Sequence, residues 1–389
     1  MAATMNMAPK PLNWLNDPMW IEIETDLVSG WEALEPNLSC YVKIEKTDGS
    51  FIGEFNAPYD LYTAKTDFDL SGIFEVYPIA PADGSVDTSS QGISDVTTQK
   101  LKISFNDMYG EPAVKPVGLT VSSEFVVIYG GTPYWYGNGL VHKSALLHSY
   151  YDTKGNNAVK ELRKWQPEYV YIYSHDGSSV AINVELLYTD GTSTTVSKGS
   201  VTCAAGKVSW VNVGWNVLNM DATKDPAKIV NSYIVSFNIN GSDESIIYTL
   251  DDHDTDYDQY ILYDNGLGGC EVLRCSGRHK IGVKTDKEYI DIPRIRGRGF
   301  RDGFSEAYNA RGSEVWTMHT GFQNAEYIRH IGQLFLAKKV WYIDMLLNRF
   351  ISVTVKDTGA ELVDYDNDMY SITFDMQFDK KPGVSTFNI

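Results

Sequence analysis

Residues 169–197 read YVYIYSHDGSSVAINVELLYTDGTSTTVS, and their pattern decides the fold class. Tyr169-Val170-Tyr171-Ile172-Tyr173 is a β-branched and aromatic run that leads into Asp176-Gly177. Val180 to Tyr188 follows, then Asp190-Gly191 and another strand-like run. Asp-Gly between such segments is a strong hairpin signal, because glycine accepts the positive φ that a tight turn demands. The stretch therefore predicts three strands meandering through two hairpins. KVSWVNVGWNVL (207–218), NSYIVSFNIN (231–240) and SIIYTL (245–250) extend the series to about Leu250. Short strands at this spacing predict a β-sandwich or jelly-roll-like domain over 118–250.

Upstream, MWIEIETDL (19–27) sets Trp20, Glu22 and Glu24 against Ile21, Ile23 and Thr25, the period of two that turns one face inward. SCYVKIEKTDGSFIGEF (39–55) reads as a hairpin through Asp48-Gly49, and GIFEVYPI (72–79) and KLKISF (100–105) read as strands. Residues 82–99 are polar and read as a contact loop or mobile flap. These elements predict a flexible N-terminal arm over 1–12 and a β domain over 13–112. EPAVKPVG (111–118) marks a boundary, since two prolines and a glycine interrupt the strand pattern. The acidic run DDHDTDYD (251–258) marks a second. Residues 257–389 read as a β module with one helix, Asn324 to Lys339, in which Tyr327, Ile328, Ile331, Leu334 and Phe335 fall at three-and-four spacing. The fold class is thus mainly β: two sandwich-like domains, then a β-rich module with one helix.

The chain has 389 residues, enough for two or three domains with separate cores. Its net charge of −18 argues against nucleic acid and against anionic membrane as partners. Met1 to Pro11 lacks the apolar run of a secretory signal, and no 18-residue apolar stretch exists to form a transmembrane helix. Synthesis in a host cytoplasm is the expectation. The 25 tyrosines suit half-buried strands and protein interfaces alike. Cys40, Cys203, Cys270 and Cys275 are too scattered for a disulfide framework and read as buried free thiols.

Four constellations invite a chemical reading. PRIRGRGFRDGF (293–304) places Arg294, Arg296, Arg298 and Arg301 in a glycine-rich loop of an otherwise acidic chain. Arginine pairs carboxylates through a fixed fork, so the loop reads as a docking element for an acidic protein surface, with nucleic acid and a plain solvated loop as alternatives. Asp252, Asp254, Asp256 and Asp258 alternate in DDHDTDYD as weak calcium candidates. The run fails the EF-hand pattern, with Tyr257 at the turn-glycine position and Tyr263 at the bidentate-glutamate position, and a solvated linker is the blander reading. Tyr134, Trp135 and Tyr136 in YGGTPYWYGNG (129–139) could present rings to a sugar, or plug a sandwich end or subunit contact. GLGG (266–269) lacks the lysine and spacing of a phosphate loop and reads as a tight turn. The seven histidines form no ligand spacing, there is no GxSxG elbow, and no carboxylate pair stands out as a glycosidase dyad. The chain reads as non-enzymatic, with no cofactor.

YILYDNGLGGCEVLRCSG (260–277), WTMHTGFQNAEYIRHIGQLFLAKKVWYID (316–344), FISVTVKD (350–357) and YSITFDMQFD (370–379) together resemble a pattern in structural proteins of Bacteroidetes-infecting tailed bacteriophages, crAss-like phages included. The resemblance covers roughly residues 257 to 380 and carries no catalytic motif. Asn324 and Gly332 within the helix depart from it. What it implies is a virion role: a tail, hub or neck-ring subunit that assembles with other virion proteins and with copies of itself, as a homo-oligomeric ring. A carbohydrate-binding adhesin or receptor-binding protein using Tyr134, Trp135 and Tyr136 is the alternative.

Overall fold

A computed structural model describes residues 3–10, 12–25, 38–60, 63–71, 73–74, 76–82, 86, 91–109, 113–116, 118–131, 144–148, 159–251, 257–291, 305–323, 325–356 and 370–378. The chain is mainly β: among the described residues 56% lie in strands and 3% are helical. It divides into two compact units. The first comprises Met1–Asp252 with Asp264–Glu271, and the second His253–Tyr263 with Val272–Ile389.

The first unit begins with β1 (Thr4–Met7), β2 (Leu12–Trp14), β3 (Trp20–Glu24), β4 (Ser39–Lys46), β5 (Phe51–Pro58), β6 (Lys65–Asp69), β7 (Gln91–Ser94), β8 (Thr98–Met108), β9 (Thr120–Val121) and β10 (Phe125–Ile128). A three-stranded sheet, β1-β3-β6, faces a six-stranded one ordered β2-β10-β8-β4-β5, with β9 on β8. Alternation builds the core between them. Ile21 and Ile23 of β3 meet Cys40, Val42 and Ile44 of β4, Leu101, Ile103 and Phe105 of β8, and Phe125 and Val127 of β10. Each such aliphatic side chain taken from water contributes about 1.5–3 kcal/mol. The Asp48-Gly49 hairpin forms between β4 and β5, with Gly49 at φ +90° and the Ser50 N–H donating to Asp48 Oδ1 at 2.8 Å.

Three expectations for this region change. Residues 4–7 of the expected N-terminal arm form β1, paired with β3, and Ala3 is buried. Of GIFEVYPI, the described residues form no strand; Ile79 instead offers its carbonyl to the Tyr171 hydroxyl at 3.2 Å. Strand pairing also runs across the 111–118 boundary, since β10 lies against β8.

The unit continues with β11 (Ala145–Leu146), β12 (Val159–Leu162), β13 (Tyr169–Ser174), β14 (Val180–Tyr188), β15 (Ser193–Val201), β16 (Lys207–Asn212), β17 (Val230–Ile239) and β18 (Ser242–Leu250). One sheet runs β11-β13-β16-β7 and the other β12-β18-β17-β14-β15. Between them pack Val170 and Ile172 of β13, Val184 and Leu186 of β14, Tyr233, Val235 and Phe237 of β17, and Trp215. The Asp190-Gly191 turn is a hairpin: Gly191 has φ +81°, and the Thr192 hydroxyl and N–H hold the Asp190 carboxyl down at about 2. The Asp176-Gly177 turn is not. β13 is already flanked on both edges, by β11 and β16, so the chain leaves it through an arch and enters the opposite sheet as β14.

β7 lies inside the stretch read as a polar loop. It pairs with β16 from the far side of the sequence, Trp210 opposite Gly92. A Cβ on Gly92 would stand 2.7 Å from the Trp210 ring, so the ring crosses the strand only because no side chain is there.

The second unit is one seven-stranded sheet ordered β20-β19-β23-β24-β25-β22-β21. Its strands are β19 (Gln259–Asp264), β20 (Cys270–Cys275), β21 (Lys280–Asp291), β22 (Ser305–His319), β23 (Val340–Asp344), β24 (Arg349–Val355) and β25 (Thr373–Phe378). The expected helix over 324–339 is shorter: α1 (Ala325–Ile331) gives way at Gly332, a poor helix former, to a 3₁₀ turn, Gly332–Leu336. Ile328, Ile331 and Leu334 pack with Ile261, Leu273, Met318, Phe374 and Met376 to form this unit's core.

Replacing Gly92 with valine is expected to lower stability by about 1–3 kcal/mol through overpacking against Trp210. Urea unfolding followed by tryptophan fluorescence measures it, and an unchanged midpoint would show that β7 can move aside.

Candidate functional site

Most residues singled out in the sequence fall where the structure makes no description. Arg294, Arg296, Arg298 and Arg301, Tyr134, Trp135 and Tyr136, and Asp252, Asp254 and Asp256 all lie outside the described residues. Asp258 is described: its side chain is 6% exposed and ion-paired with Arg274, Oδ1 to Nε 3.1 Å. Arg274 projects from β20 and Asp258 precedes β19, so the pair fastens the start of the unit-two sheet. Beside it the Arg278 guanidinium lies 5.3 Å from the Tyr257 ring. Among the described residues no three His, Cys, Asp or Glu side chains are grouped to hold a metal. Gly266 and Gly268 of GLGG have φ +69° and +88°, as a tight turn requires.

The densest buried polar chemistry lies in unit one, at the end of the second sandwich. Lys160 of β12 meets Glu168 at 2.7 Å, with 3% and 0% of the side chains exposed. The Glu168 N–H donates to Asn212 Oδ1 at 3.3 Å, and its carbonyl accepts from Val213 N–H at 2.7 Å. Arg163, also buried, donates from Nη1 to the Asp251 carbonyl at 3.4 Å. Burial pushes the Glu168 carboxyl up to about 7; Lys160 opposes the rise, and the Glu271 carboxylate adds to it. A carboxyl poised near neutrality suits proton transfer, but this one is wholly enclosed. The pair therefore reads as an internal tie from β12 to the start of β13.

Sequence reading missed it because VKEL (159–162) shows no hydrophobic period. The one available signal was the density of charge in KELRKWQPE (160–168) just before a buried strand. The thiols are equally enclosed: all four cysteines are free and buried, and desolvation pushes Cys40 up to about 12, far from a nucleophile's range.

One sheet edge among the described strands belongs to the β21–β22 ribbon. The two strands pair from Lys280↔Thr317 to Asp291↔Ser305. β25 covers β22 only over Val315–His319, so from Glu314 to Ser305 β22 has β21 as its one neighbour among the described strands. β21 ends the sheet order and exposes Ile281, Val283 and Tyr289 by 58%, 52% and 62%. The arginine-bearing residues 292–304 join the far ends of these strands.

No protein-family model matches the sequence, and no curated protein matches it. Among solved structures, a Salmonella alpha-2-macroglobulin mutant aligns with 82% of this chain and 22% of its own, at 8% identity and a TM-score of 0.21. The native form of E. coli alpha-2-macroglobulin aligns with 82% of this chain and 21% of its own, at 8% identity and 0.21. The four N-terminal Ig domains of a Dscam1 isoform align with 82% of this chain and 74% of theirs, at 9% identity and 0.19. The chain spans about a fifth of the macroglobulins' length. TM-scores this low establish no shared topology. The fold and its described surface define a mainly β, multi-sheet protein.

A buried acid whose pKa is raised makes the folded state bind its proton more tightly than the unfolded state. The contribution of Glu168 is therefore complete below about 4.5 and is lost as pH rises through about 7. Removing the lysine raises the Glu168 carboxyl further, so Lys160→Met should cost about 1 kcal/mol more at pH 8, where the variant must take up a proton the wild type has released, than at pH 5, where Glu168 is protonated in both. Urea unfolding at the two pH values reads the difference, and equal losses would show that the carboxyl does not titrate as described. EDTA should leave the melting temperature unchanged; a calcium-dependent rise would make the 251–258 run a cation site.

Proposed function

We propose that this protein is a non-enzymatic structural subunit of a virion, a tail, hub or neck-ring component of a tailed phage of Bacteroidetes-type hosts. It works by joining other virion proteins and copies of itself. The observation that carries the reading is the β21–β22 ribbon. A two-stranded ribbon is marginal in water unless another element covers it. Among the described strands this one keeps an open edge, and Ile281, Val283 and Tyr289 on it are exposed. It also leads into the four arginines at 294, 296, 298 and 301. Several charge-assisted contacts made together would give an acidic neighbour both affinity and register. The resemblance over 257–380 falls on the same part of the chain. Glycan binding through Tyr134, Trp135 and Tyr136 is the competing reading and rests on loop composition alone.

Antibody raised against the purified chain should label tails or necks of phage particles released by cells that carry its gene. Replacing Arg294, Arg296, Arg298 and Arg301 with serine should leave the fold intact, since surface changes move stability by about 0.5 kcal/mol or less each. Incorporation into particles should fall sharply, and wild-type assembly should weaken with salt. Unlabelled particles, or a quadruple variant that incorporates normally, would remove the virion role or the loop's part in it, respectively. Binding to a glycan array that Trp135→Ala abolishes would favour the adhesin.

A further inference from the structure

We propose that β21 pairs edge to edge with β21 of a second copy of this chain, antiparallel and two-fold symmetric about Thr285. The proposal rests on the assembly reading and adds the partner that the ribbon receives. β21 is the last strand in its sheet and pairs only with β22 among the described strands. The register shift of the ribbon passes over Tyr308 of β22, so β21 itself alternates without a break.

Alternation restricts how such a strand can meet itself. Successive residues aim their N–H and C=O groups at opposite edges, so directly opposed residues must have the same parity. The two-fold axis must then pass through a residue, and that residue faces its own copy. Near the strand's middle, an axis at Lys284, Asp286, Lys287 or Glu288 would set a charge against itself. Thr285 alone in that stretch is uncharged, and threonine opposite threonine is a favourable cross-strand pair. The axis at Thr285 sets Ile281 opposite Tyr289, two of the exposed apolar residues of β21. It also sets Lys284 opposite position 286, an aspartate, and symmetry makes each of these pairs twice. No like charges oppose each other from Lys280 to Ile290 in this register. An axis at Val283 sets Lys280 opposite position 286 but puts Lys284 opposite Gly282 and leaves Tyr289 without a partner strand.

Sedimentation equilibrium of the full chain tests the proposal. Wild type should dimerise. Lys284→Asp sets aspartate against Asp286, and Asp286→Lys sets lysine against Lys284. Each is expected to raise the dimer dissociation constant about tenfold or more, given two lost pairs and two repulsions. Lys284→Asp combined with Asp286→Lys reverses both signs and should restore wild-type dimerisation, which also certifies that the single variants were not misfolded. If the axis lay at Asp286, the double variant would set the carboxylate introduced by Lys284→Asp against Glu288 and fail to recover. Failure to recover, or a wild-type chain monomeric at about 100 µM, overturns the pairing. A monomeric chain that still labels virions would sink the pairing and leave the structural role standing, whereas a dimer absent from particles would do the reverse.

Discussion

Burial of β13 on both faces is the constraint around which the first unit is arranged. All six residues of Tyr169–Ser174 are buried. Val170 and Ile172 belong to the sandwich core, and the alternate tyrosines point away from it into a second buried layer. The Tyr171 hydroxyl donates to the Ile79 carbonyl, to which the Cys270 thiol also donates at 3.6 Å. A Cβ on Gly269 would lie 3.0 Å from Tyr171 and 2.6 Å from the Leu147 carbonyl, so the 264–271 turn closes over the same surface because a glycine is there. Asn265 fixes that turn: its amide donates to the Leu147 carbonyl and to Glu271, while its oxygen accepts the Leu267 and Gly269 N–H groups. Segments far apart in sequence are thereby held on one strand.

Charge in this protein is handled in two ways. Inside, it is paired and enclosed, as in Lys160–Glu168 and Arg274–Asp258, where the cost of desolvation is offset only while both partners remain. Outside, carboxylates meet lysines in partly exposed pairs such as Lys65–Glu22 and Lys228–Asp190. The first arrangement serves register and closure within a unit. The second contributes little to stability and is screened by salt.

Much of this was legible in the sequence, for a physical reason. Period-two alternation reports which residues face a core, and WIEIE (20–24) and VAINVELLY (180–188) obey it. Partner choice was not legible. Asp176-Gly177 and Asp190-Gly191 look alike, yet one is an arch and the other a hairpin, because the edges of β13 are taken by strands distant in sequence. β7 was hidden for a related reason: a short polar strand with a glycine shows no period, and its stability comes from β16 and Trp210 rather than from itself. The paired Lys160 and Glu168 show only as a density of charge in KELRKWQPE, because burial of charge leaves no periodic pattern along the chain. The arginines and the Tyr134–Trp135–Tyr136 cluster were easy to pick out by composition, which says nothing about where they are held.

The pairing of β7 with β16 also bears on how the chain is made. Synthesis delivers Gln91–Ser94 long before Lys207–Asn212, and β8 of the first sandwich follows directly from β7. The first sandwich thus emerges from the ribosome with a strand already committed to a sheet that does not yet exist. Until Val211 is translated, β7 has no ladder to join, and the six-stranded sheet is tethered to a loose end. Closing so long a loop is entropically costly and slow. Completion of the β11-β13-β16-β7 sheet is therefore a late event that draws on a strand made early, and a chain interrupted before Lys207 would leave β7 without the strand it pairs with.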